Sequence, residues 1–329
     1  FAKIELAGPG TVSFLGRLCA NDIDRPVGSI VYTQMLNRRG GIETDFTVSR
    51  LAADRFLIVT GTAVGNHDLG WIRKQLDDDP AARGQVVVSD LTSSLSCFGL
   101  WGPRARTILA GLTRDDLSDA AFPYLTARRI TVGNVPVLAL RVTYVGELGW
   151  ELYPPSEYGA TLWDAIWAAG ADHGLVAGGY RAIDALRLEK GYRVWSSDIT
   201  PDETPYEAGL GFAVRLDRPD GTARDFIGHD ALVAAKAAGP RKRLRCLVLD
   251  DPRSVCLGNE PVRIDGTIVG RVTSGGYGFA VERSIAYAYL PPDQAAIGGR
   301  GEIEVFGAWI GFEVVAEPLW DPAGERIRA

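Results

Sequence analysis

The sequence predicts an α+β protein in which two related units with antiparallel sheets precede a small all-β domain. Three observations support this prediction. A segment order of strand, helix, three strands and helix occurs twice before residue 170. The Gly-Pro pair at 8–9, after the first strand, matches the Gly-Pro pair at 102–103. The part after residue 240 contains short strand segments and turn signals without a helical pattern.

The first unit is assigned to residues 1–90. Apolar and polar side chains alternate from Phe1 to Ala7, which predicts a strand, and a helix with an apolar face of Phe14, Leu15 and Leu18 follows. The remaining elements are strands at 31–36, 42–49 and 55–60 and a helix to about residue 76.

The second unit is assigned to residues 91–235 and repeats this order. SCFGLWGPRARTILAGLTRDDL can be laid on AKIELAGPGTVSFLGRLCANDI so that Leu15 falls on Leu109 and Leu18 on Leu112. Strands are predicted at about 124–132, 134–143 and 149–153, and helices at 158–169 and 179–191. The matched order indicates a duplicated unit.

The third domain is assigned to residues 241–329 and is predicted to be an all-β, barrel-like domain. Asp265-Gly266 is a hairpin turn signal and Gly307-Ala308 a weaker one. Between and around these turns the short apolar runs predict strands at 244–249, 262–264, 267–272, 285–290, 302–306 and 309–315.

The composition excludes several classes of protein. The net charge is −6, and acidic and basic residues are mixed, so no nucleic-acid-binding surface is predicted. No apolar run is long enough for a membrane helix. The four cysteines lack CxxC spacing and are predicted to be buried free thiols, and the three histidines lack metal-binding spacing. The chain begins at Phe1 without a visible signal peptide, and we expect residues upstream of it.

Several residues are candidates for chemistry. Asp45 lies inside a predicted strand beside apolar residues, so a partly buried carboxylate with a raised pKa is one interpretation, and a solvent-facing aspartate is the other. Tyr144 and Glu151 flank GELGW and are predicted to lie at adjoining ends of one hairpin, where the glutamate could bind an NH–C–NH edge. Tyr32 could add an aromatic ring and a hydroxyl group from a neighbouring strand.

The helix from residue 179 carries Arg181, Asp184 and Arg187 at three-residue intervals, which predicts a row along one face. One arginine of this row could meet a ligand carboxylate; a solvated helix face is the alternative. No GxGxxG, Walker or GxSxG motif occurs, so no nucleotide-binding loop or hydrolase elbow is predicted.

The motifs YTQMLNRRGGIETDFTV (32–48), TYVGELGWELYPP (143–155), AGGYRAIDALRLEKGY (177–192) and VGRVTSGGYGFAVERSIAYAYLP (269–291) resemble the aminomethyltransferase family. This family includes the glycine cleavage T-protein and the folate-binding C-terminal regions of dimethylglycine and sarcosine dehydrogenases. Thr44 stands where the T-protein usually has the first of two aspartates, which favours the dehydrogenase-linked branch.

The resemblance implies a three-domain ring with tetrahydrofolate in a central funnel and the first two units interleaved. It assigns Asp45 as the catalytic residue. It assigns folate binding to Tyr32, Tyr144, Glu151 and Arg181, the last toward the glutamate tail of folate. FAD is expected only in an upstream domain or a partner subunit.

The resemblance also implies the reaction. We expect capture of an iminium or aminomethyl carbon from an N-methyl amine as 5,10-methylene-tetrahydrofolate, in the cytoplasm or, in a eukaryote, the mitochondrial matrix. Glycine cleavage aminomethyl transfer and folate-dependent demethylation are alternatives. A third alternative, a folate-binding accessory protein of iron–sulfur cluster assembly, carries a KGCxxGQE-like motif; the matching place here is Glu189 to Arg193, without cysteine.

Overall fold

The structure is a computed structural model that describes all 329 residues. Its strands form two open sheets and one closed barrel, with helices on the outer faces of the open sheets. This arrangement confirms the predicted α+β class. None of its helices combines the length and the apolar composition that crossing a membrane requires.

The first sheet contains five antiparallel strands in the order β2-β3-β4-β1-β5. They are β1 (Ala2–Ala7), β2 (Ile30–Leu36), β3 (Ile42–Ala52), β4 (Arg55–Thr60) and β5 (Val87–Asp90). Helices α1 (Thr11–Leu18) and α2 (Gly65–Asp77) cover one face. Alternate side chains such as Ile4, Phe46 and Phe56 pack against Phe14 and Leu69 of these helices.

The second sheet repeats the connectivity of the first. Its order is β6-β9-β8-β7, with β6 (Phe98–Trp101), β7 (Ala127–Val132), β8 (Val135–Leu140) and β9 (Gly149–Tyr153). Helices α3 (Ala105–Ala110) and α4 (Gly159–Gly170) cover one face. Gly8 and Gly102 both have positive φ, 125° and 139°, at the same place after the first strand of each copy. This shared glycine conformation agrees with the predicted duplication.

The uncovered faces of the two sheets pack against each other. Ile30, Leu57 and Val59 of the first sheet share one buried cluster with Leu138 and Tyr153 of the second. We call the space between these faces the inter-sheet layer. It positions the candidate site, because every side chain on these two faces points into it.

Six strands after residue 240 close into a barrel, as the sequence predicted. They are β10 (Arg243–Leu249), β11 (Pro261–Ile264), β12 (Thr267–Gly278), β13 (Arg283–Leu290), β14 (Arg300–Val305) and β15 (Ala308–Val315). Asp265 and Gly266 both have positive φ, which matches the predicted hairpin turn. The second turn uses Phe306 and Gly307, one residue earlier than predicted.

Three further helices are α5 (Tyr180–Glu189), α6 (His229–Ala238) and α7 (Glu325–Arg328). Helix α5 packs against β12 of the barrel, and Gly191 follows it with a left-handed φ of 73°. The segment between α5 and the barrel returns to the first sheet, where Ile199 and Phe226 pack on Ile42.

Some local expectations were wrong. Strand β5 and helix α6 were not predicted, because β5 has only four residues and α6 buries only Leu232. Strand β8 ends at Leu140, so Tyr144 lies in the 141–148 connection rather than at a strand end. The four cysteines form no disulfide, and three are buried, but Cys97 is only partly buried.

Candidate functional site

The centre of the site is a hydrogen-bonded pair on β2 and β3. The register pairs Gln34 with Asp45 and Tyr32 with Thr47, so these four side chains share the inter-sheet face of the first sheet. The Tyr32 hydroxyl donates a hydrogen bond of 2.8 Å to Asp45 Oδ2. Asp45 is half-buried rather than solvent-facing.

The surroundings of Asp45 favour its neutral form. Burial raises the pKa of the Asp45 carboxyl to about 6; the Tyr32 hydrogen bond opposes this rise, and the nearby Asp68 and Asp198 carboxylates add to it. A carboxyl group with a pKa near neutrality can both accept and release a proton under ordinary conditions.

A second carboxylate, Asp68 of α2, lies on the other side of β3. It accepts hydrogen bonds from Thr44 Oγ1 at 2.9 Å and Thr60 Oγ1 at 2.6 Å, and His67 Nδ1 lies 3.0 Å from its other oxygen. Thr44 points away from Asp45 because strand side chains alternate. Residue 44 therefore anchors β3 to α2 and does not enter the inter-sheet layer.

Aromatic rings border the Tyr32–Asp45 pair. Tyr32 stacks on Phe212 with centroids 6.1 Å apart, and Phe212 is 66% exposed. Tyr144 stacks on Tyr192 at 5.8 Å, and its hydroxyl donates to the Arg193 carbonyl oxygen. Burial, opposed by the Arg187 guanidinium and reinforced by the Asp45 carboxylate, raises the pKa of Tyr144, so Tyr144 belongs to the same neighbourhood.

A buried ion pair closes the barrel side of this neighbourhood. Arg187 Nη1 donates to Asp198 Oδ2 at 2.9 Å, and Arg187 Nη2 donates to Ser274 Oγ at 3.0 Å. Thr273 Oγ1 donates to the second Asp198 oxygen at 2.6 Å. Both charged side chains are buried, so this pair connects α5, the loop after it and the barrel.

Glu151 lies on the opposite wall of the inter-sheet layer, in the middle of β9. It is buried, and it accepts a 2.5 Å hydrogen bond from the Tyr153 hydroxyl. Burial raises the pKa of its carboxyl group. No hydrogen bond connects Glu151 to Tyr32, Asp45 or Tyr144. The prediction that Tyr144 and Glu151 lie at adjoining strand ends was wrong.

Arg181 lies in the first turn of α5, exposed and without a hydrogen bond or ion pair. The predicted row from Arg181 to Arg187 does not persist along the helix. At about 100° per residue, six residues bring the second arginine about 120° around the axis. Arg187 therefore enters the interior, while the Arg181 guanidinium reaches solvent.

Three features of the site were not predicted from the sequence. One is Gln34, whose two amide atoms are buried without a hydrogen-bond partner. The others are the Arg187–Asp198 pair and the stacking of Phe212 on Tyr32. Because strand side chains alternate, Gln34 is expected on the same face as Tyr32, two residues away, and could have been found from the sequence. The ion pair and the aromatic stacking could not, because each joins segments that are distant in sequence.

Together these groups suit a flat ring that carries hydrogen-bond donors. Aromatic faces, a phenol, the half-buried Asp45 carboxyl group and the buried Glu151 carboxyl group surround one layer, and the unpaired Gln34 amide adds polar atoms to it. The structure contains no group of three or more His, Cys, Asp or Glu side chains that could hold a metal ion.

Comparison with known proteins identifies related sequences along the whole chain. The family model described as the GCVT N-terminal domain matches residues 1–218, and the glycine cleavage T-protein C-terminal barrel domain matches residues 242–321. The aminomethyltransferase of Symbiobacterium thermophilum is 32% identical over 97% of the chain and 84% of that protein.

Longer relatives match as well. The chain is 39% identical to the 4-methylaminobutanoate oxidase (formaldehyde-forming) of Paenarthrobacter nicotinovorans, and it covers 39% of that protein. It is 38% identical to the mitochondrial dimethylglycine dehydrogenase of Rattus norvegicus, and it covers 38% of that protein. All of this chain is matched in both cases, so it spans about two fifths of these relatives.

Among solved structures, the glycine cleavage system aminomethyltransferase T from Bartonella henselae has the same fold. The TM-score is 0.85 at 26% identity, with 98% of this chain and 84% of that chain covered.

Proposed function

The chain belongs to the glycine cleavage T-protein family of aminomethyltransferases, and from this premise we propose that it transfers one-carbon units to tetrahydrofolate. The carbon would come from an N-methyl amine of the dimethylglycine or sarcosine type, as an iminium or aminomethyl group, and the product would be 5,10-methylene-tetrahydrofolate. The observation that supports this proposal is the Tyr32–Asp45 pair, a hydrogen-bonded carboxyl group whose pKa burial raises to about 6, in an aromatic, half-buried layer.

The chain's residues take distinct roles in this proposal. Asp45 accepts and returns the proton that the transfer displaces, and Tyr32 holds its carboxylate. Glu151 binds the amide edge of the pterin ring from the opposite wall, and Tyr144 borders the ring. Arg181, exposed and unpaired, binds the carboxylate tail.

Tetrahydrofolate, when bound, supplies two nitrogen atoms that together can hold a one-carbon unit. The layer itself excludes part of the surrounding water, because Phe212 and Tyr192 flank it with their rings. Exclusion of water would strengthen the charge-assisted contacts of Asp45 and Glu151.

We further propose that the chain works with an FAD-dependent dehydrogenase domain or subunit. The names of two long relatives support this assignment, because they are an oxidase and a dehydrogenase, each with further sequence beyond the matched part. The absence of disulfides among four cysteines fits a reducing compartment, the cytoplasm or the mitochondrial matrix. Glycine cleavage remains a second candidate because the matched aminomethyltransferase has nearly the same length.

Calorimetric titration of the purified chain with tetrahydrofolate tests the proposal. We expect binding, and we expect Glu151→Gln to weaken it by about 10- to 100-fold, because a charge-assisted hydrogen bond is lost. Glu147→Gln is the matched control. Glu147 lies in the connection before β9, where its oxygen accepts from Trp320 Nε1, and an amide oxygen can keep that bond.

The same titration can disprove the function. A wild-type chain that binds no tetrahydrofolate contradicts the proposal as a whole. Equal affinities for wild type and Glu151→Gln would remove only Glu151 from the binding site. If Glu147→Gln lost as much affinity as Glu151→Gln, the loss would come from a disturbed hairpin and not from the missing Glu151 charge.

A further inference from the structure

Gln34 is a buried amide without hydrogen bonds beside a proton-exchanging pair. The side chain has no solvent exposure, and neither Oε1 nor Nε2 has a hydrogen-bond partner. Most buried polar side-chain atoms in proteins are paired, so an unpaired amide requires an explanation. Its location next to Asp45 suggests one.

The register determines the neighbours of this amide. Gln34 lies directly opposite Asp45 on β3 and two residues beyond Tyr32 on β2, on the same face. Its amide N–H group approaches the Tyr32 oxygen closely enough to oppose the rise that burial and Asp45 cause in the pKa of Tyr32, although the contact lacks the geometry of a full hydrogen bond. The Tyr32 oxygen is thus close to both the carboxyl group and the amide.

The hydrogen bonding of this trio can rearrange when Asp45 is protonated. In the carboxylate form, the Tyr32 hydroxyl donates to Asp45, and the Gln34 N–H group approaches the Tyr32 oxygen without a full hydrogen bond. In the acid form, the carboxyl group can donate to the Tyr32 oxygen, and the Tyr32 hydrogen then needs another acceptor. Gln34 Oε1 can be that acceptor, and turning the amide to present it gives up only that weak approach.

We propose that Gln34 is a positioning residue, which accepts the Tyr32 hydroxyl hydrogen whenever Asp45 carries a proton and so stabilises the protonated form of Asp45. In this step Asp45 gains one proton, Tyr32 keeps its own and changes its acceptor, and the trio's charge goes from −1 to 0. The consequence for catalysis rests on the proposed function, since it concerns the same carboxyl group. The hydrogen-bond exchange itself does not depend on folate.

Other charged and titratable groups also lie near enough to Asp45 to interact with it electrostatically. They are Tyr32 of β2, Asp68 of α2, Asp198 in the loop after α5 and Tyr144 in the 141–148 connection, with Arg187 paired to Asp198. Unlike these groups, Gln34 is uncharged at all pH values. Its removal therefore tests hydrogen bonding without changing charge.

The experiment is a pH titration of the ligand-free chain, followed by NMR of ¹³C-labelled aspartate carboxyl groups, with Asp45→Asn used to assign the signal. Gln34→Met keeps the size and removes both amide atoms. We expect it to lower the Asp45 midpoint by about 0.4 to 1 pH unit, the effect of one neutral hydrogen bond lost from the acid form. In the Tyr32→Phe background, Gln34→Met should cause no further change, because the connecting hydroxyl is gone.

Ser49→Ala is the matched control. The Ser49 hydroxyl is also buried and unpaired on the same face of β3, but it lies four residues from Asp45, about 13 Å along the strand. We expect this variant to leave the Asp45 midpoint unchanged. A stability effect without a midpoint change would indicate a merely structural residue.

An unchanged or raised midpoint in Gln34→Met overturns the proposal. If that variant does not fold, the side-chain amide signal of Gln34 in ¹⁵N-labelled wild type decides: it must titrate with the Asp45 midpoint, and a constant signal overturns the proposal. A chain that shows the midpoint change but binds no folate disproves the function alone. A chain that binds and transfers without the midpoint change disproves the Gln34 assignment alone.

Discussion

At the scale of single residues, the half-buried Asp45 carries a stability cost that its proposed role explains. Its pKa of about 6 in the folded chain exceeds the ordinary value of 3.8. A carboxyl group with a raised folded pKa favours the folded state most below the unfolded pKa, and that contribution is lost as pH rises through about 6. The ionised carboxylate is therefore unfavourable at neutral pH.

Asp45→Asn should separate chemistry from stability. The amide oxygen can still accept from Tyr32, but the side chain cannot take a proton. We expect the formation of 5,10-methylene-tetrahydrofolate to slow by at least about 100-fold, after subtraction of the uncatalysed reaction of formaldehyde. The same variant should be more stable than wild type at pH 8, on the order of 1–3 kcal/mol, with the gain disappearing below pH 4.

Two measurements check this pair of expectations. Urea denaturation at pH 8 and pH 4 gives the stability difference, and calorimetry should show folate affinity within a few-fold of wild type. A variant that forms product at the wild-type rate would make Asp45 a structural residue.

Asp45 and Tyr32 could be found from the sequence because each lies in a segment with a clear strand pattern. The alternation of side chains along a strand is then enough to predict which face each residue occupies. The sequence could not indicate the unpaired state of Gln34 or the Arg187–Asp198 pair, since both depend on which distant segments meet. The sequence pattern singled out Glu151 and the arginine row on α5, but only the family resemblance chose Arg181 from that row and combined these residues into one site.

At the scale of elements, α5 divides its two arginines between different tasks. Arg187 is buried against Asp198 and Ser274, whereas Arg181, about 120° around the axis, is exposed. The hydrogen-bond donors of Arg187 are used within the protein, whereas those of Arg181 are free to bind a ligand. Substitutions of these two arginines therefore distinguish an effect on ligand binding, expected at Arg181, from an effect on stability, expected at Arg187.

We expect Arg181→Ala to weaken tetrahydrofolate more than a pterin that lacks the glutamate tail, by about 10-fold or more, without a change in melting temperature. Parallel calorimetric titrations with the two ligands measure this. Arg187→Ala is the contrasting variant: it should cost about 3–5 kcal/mol of stability, because Asp198 stays buried without its partner. Equal losses for both ligands in Arg181→Ala would contradict the tail contact.

The element order was predictable for the long, periodic segments and less so for the short ones. Helix α2 buries residues at three- and four-residue spacing and β3 alternates along most of its length, whereas β2 and β4 are continuous apolar runs of strand length. Strand β5 has four residues and α6 is rich in alanine with one buried side chain, so neither carries enough periodicity. Six short strand segments predicted an all-β, barrel-like domain. The pairing of β10 with β15, which closes the barrel, joins strands that are distant in sequence and could not be predicted.

At the scale of the whole molecule, the segment after the barrel returns to the end of α5. Lys190 Nζ lies 3.1 Å from Asp321 Oδ2, and both side chains are buried. Arg193 forms two hydrogen bonds with Glu317, and the Glu189 carbonyl oxygen accepts from the Leu319 and Trp320 N–H groups. These contacts connect the barrel to the helix beside the site.

Lys190→Met should destabilise the chain by about 3–5 kcal/mol at pH 7, since it leaves Asp321 buried without its cation. Burial alone would raise the pKa of Asp321, but Lys190 and two backbone N–H groups hold it below 3.8. A lowered folded pKa gives stability that is present above about pH 4 and lost below it. The difference between wild type and variant in urea denaturation should therefore shrink as the pH falls below 4. A difference that does not depend on pH would show that packing, not the ion pair, is responsible.

The repeated unit also has a consequence for how this molecule can change. Each copy offers one sheet face to the shared layer, and in the proposed site the two copies contribute differently: the first supplies Asp45 and the second supplies Glu151. Equivalent positions in the two copies that serve different functions can change independently of each other. Substitutions on β9 would change which ring the proposed site binds, while Asp45 on β3, the proposed proton acceptor, stays unchanged. The fused copies thus allow selection to act on specificity and on chemistry one at a time.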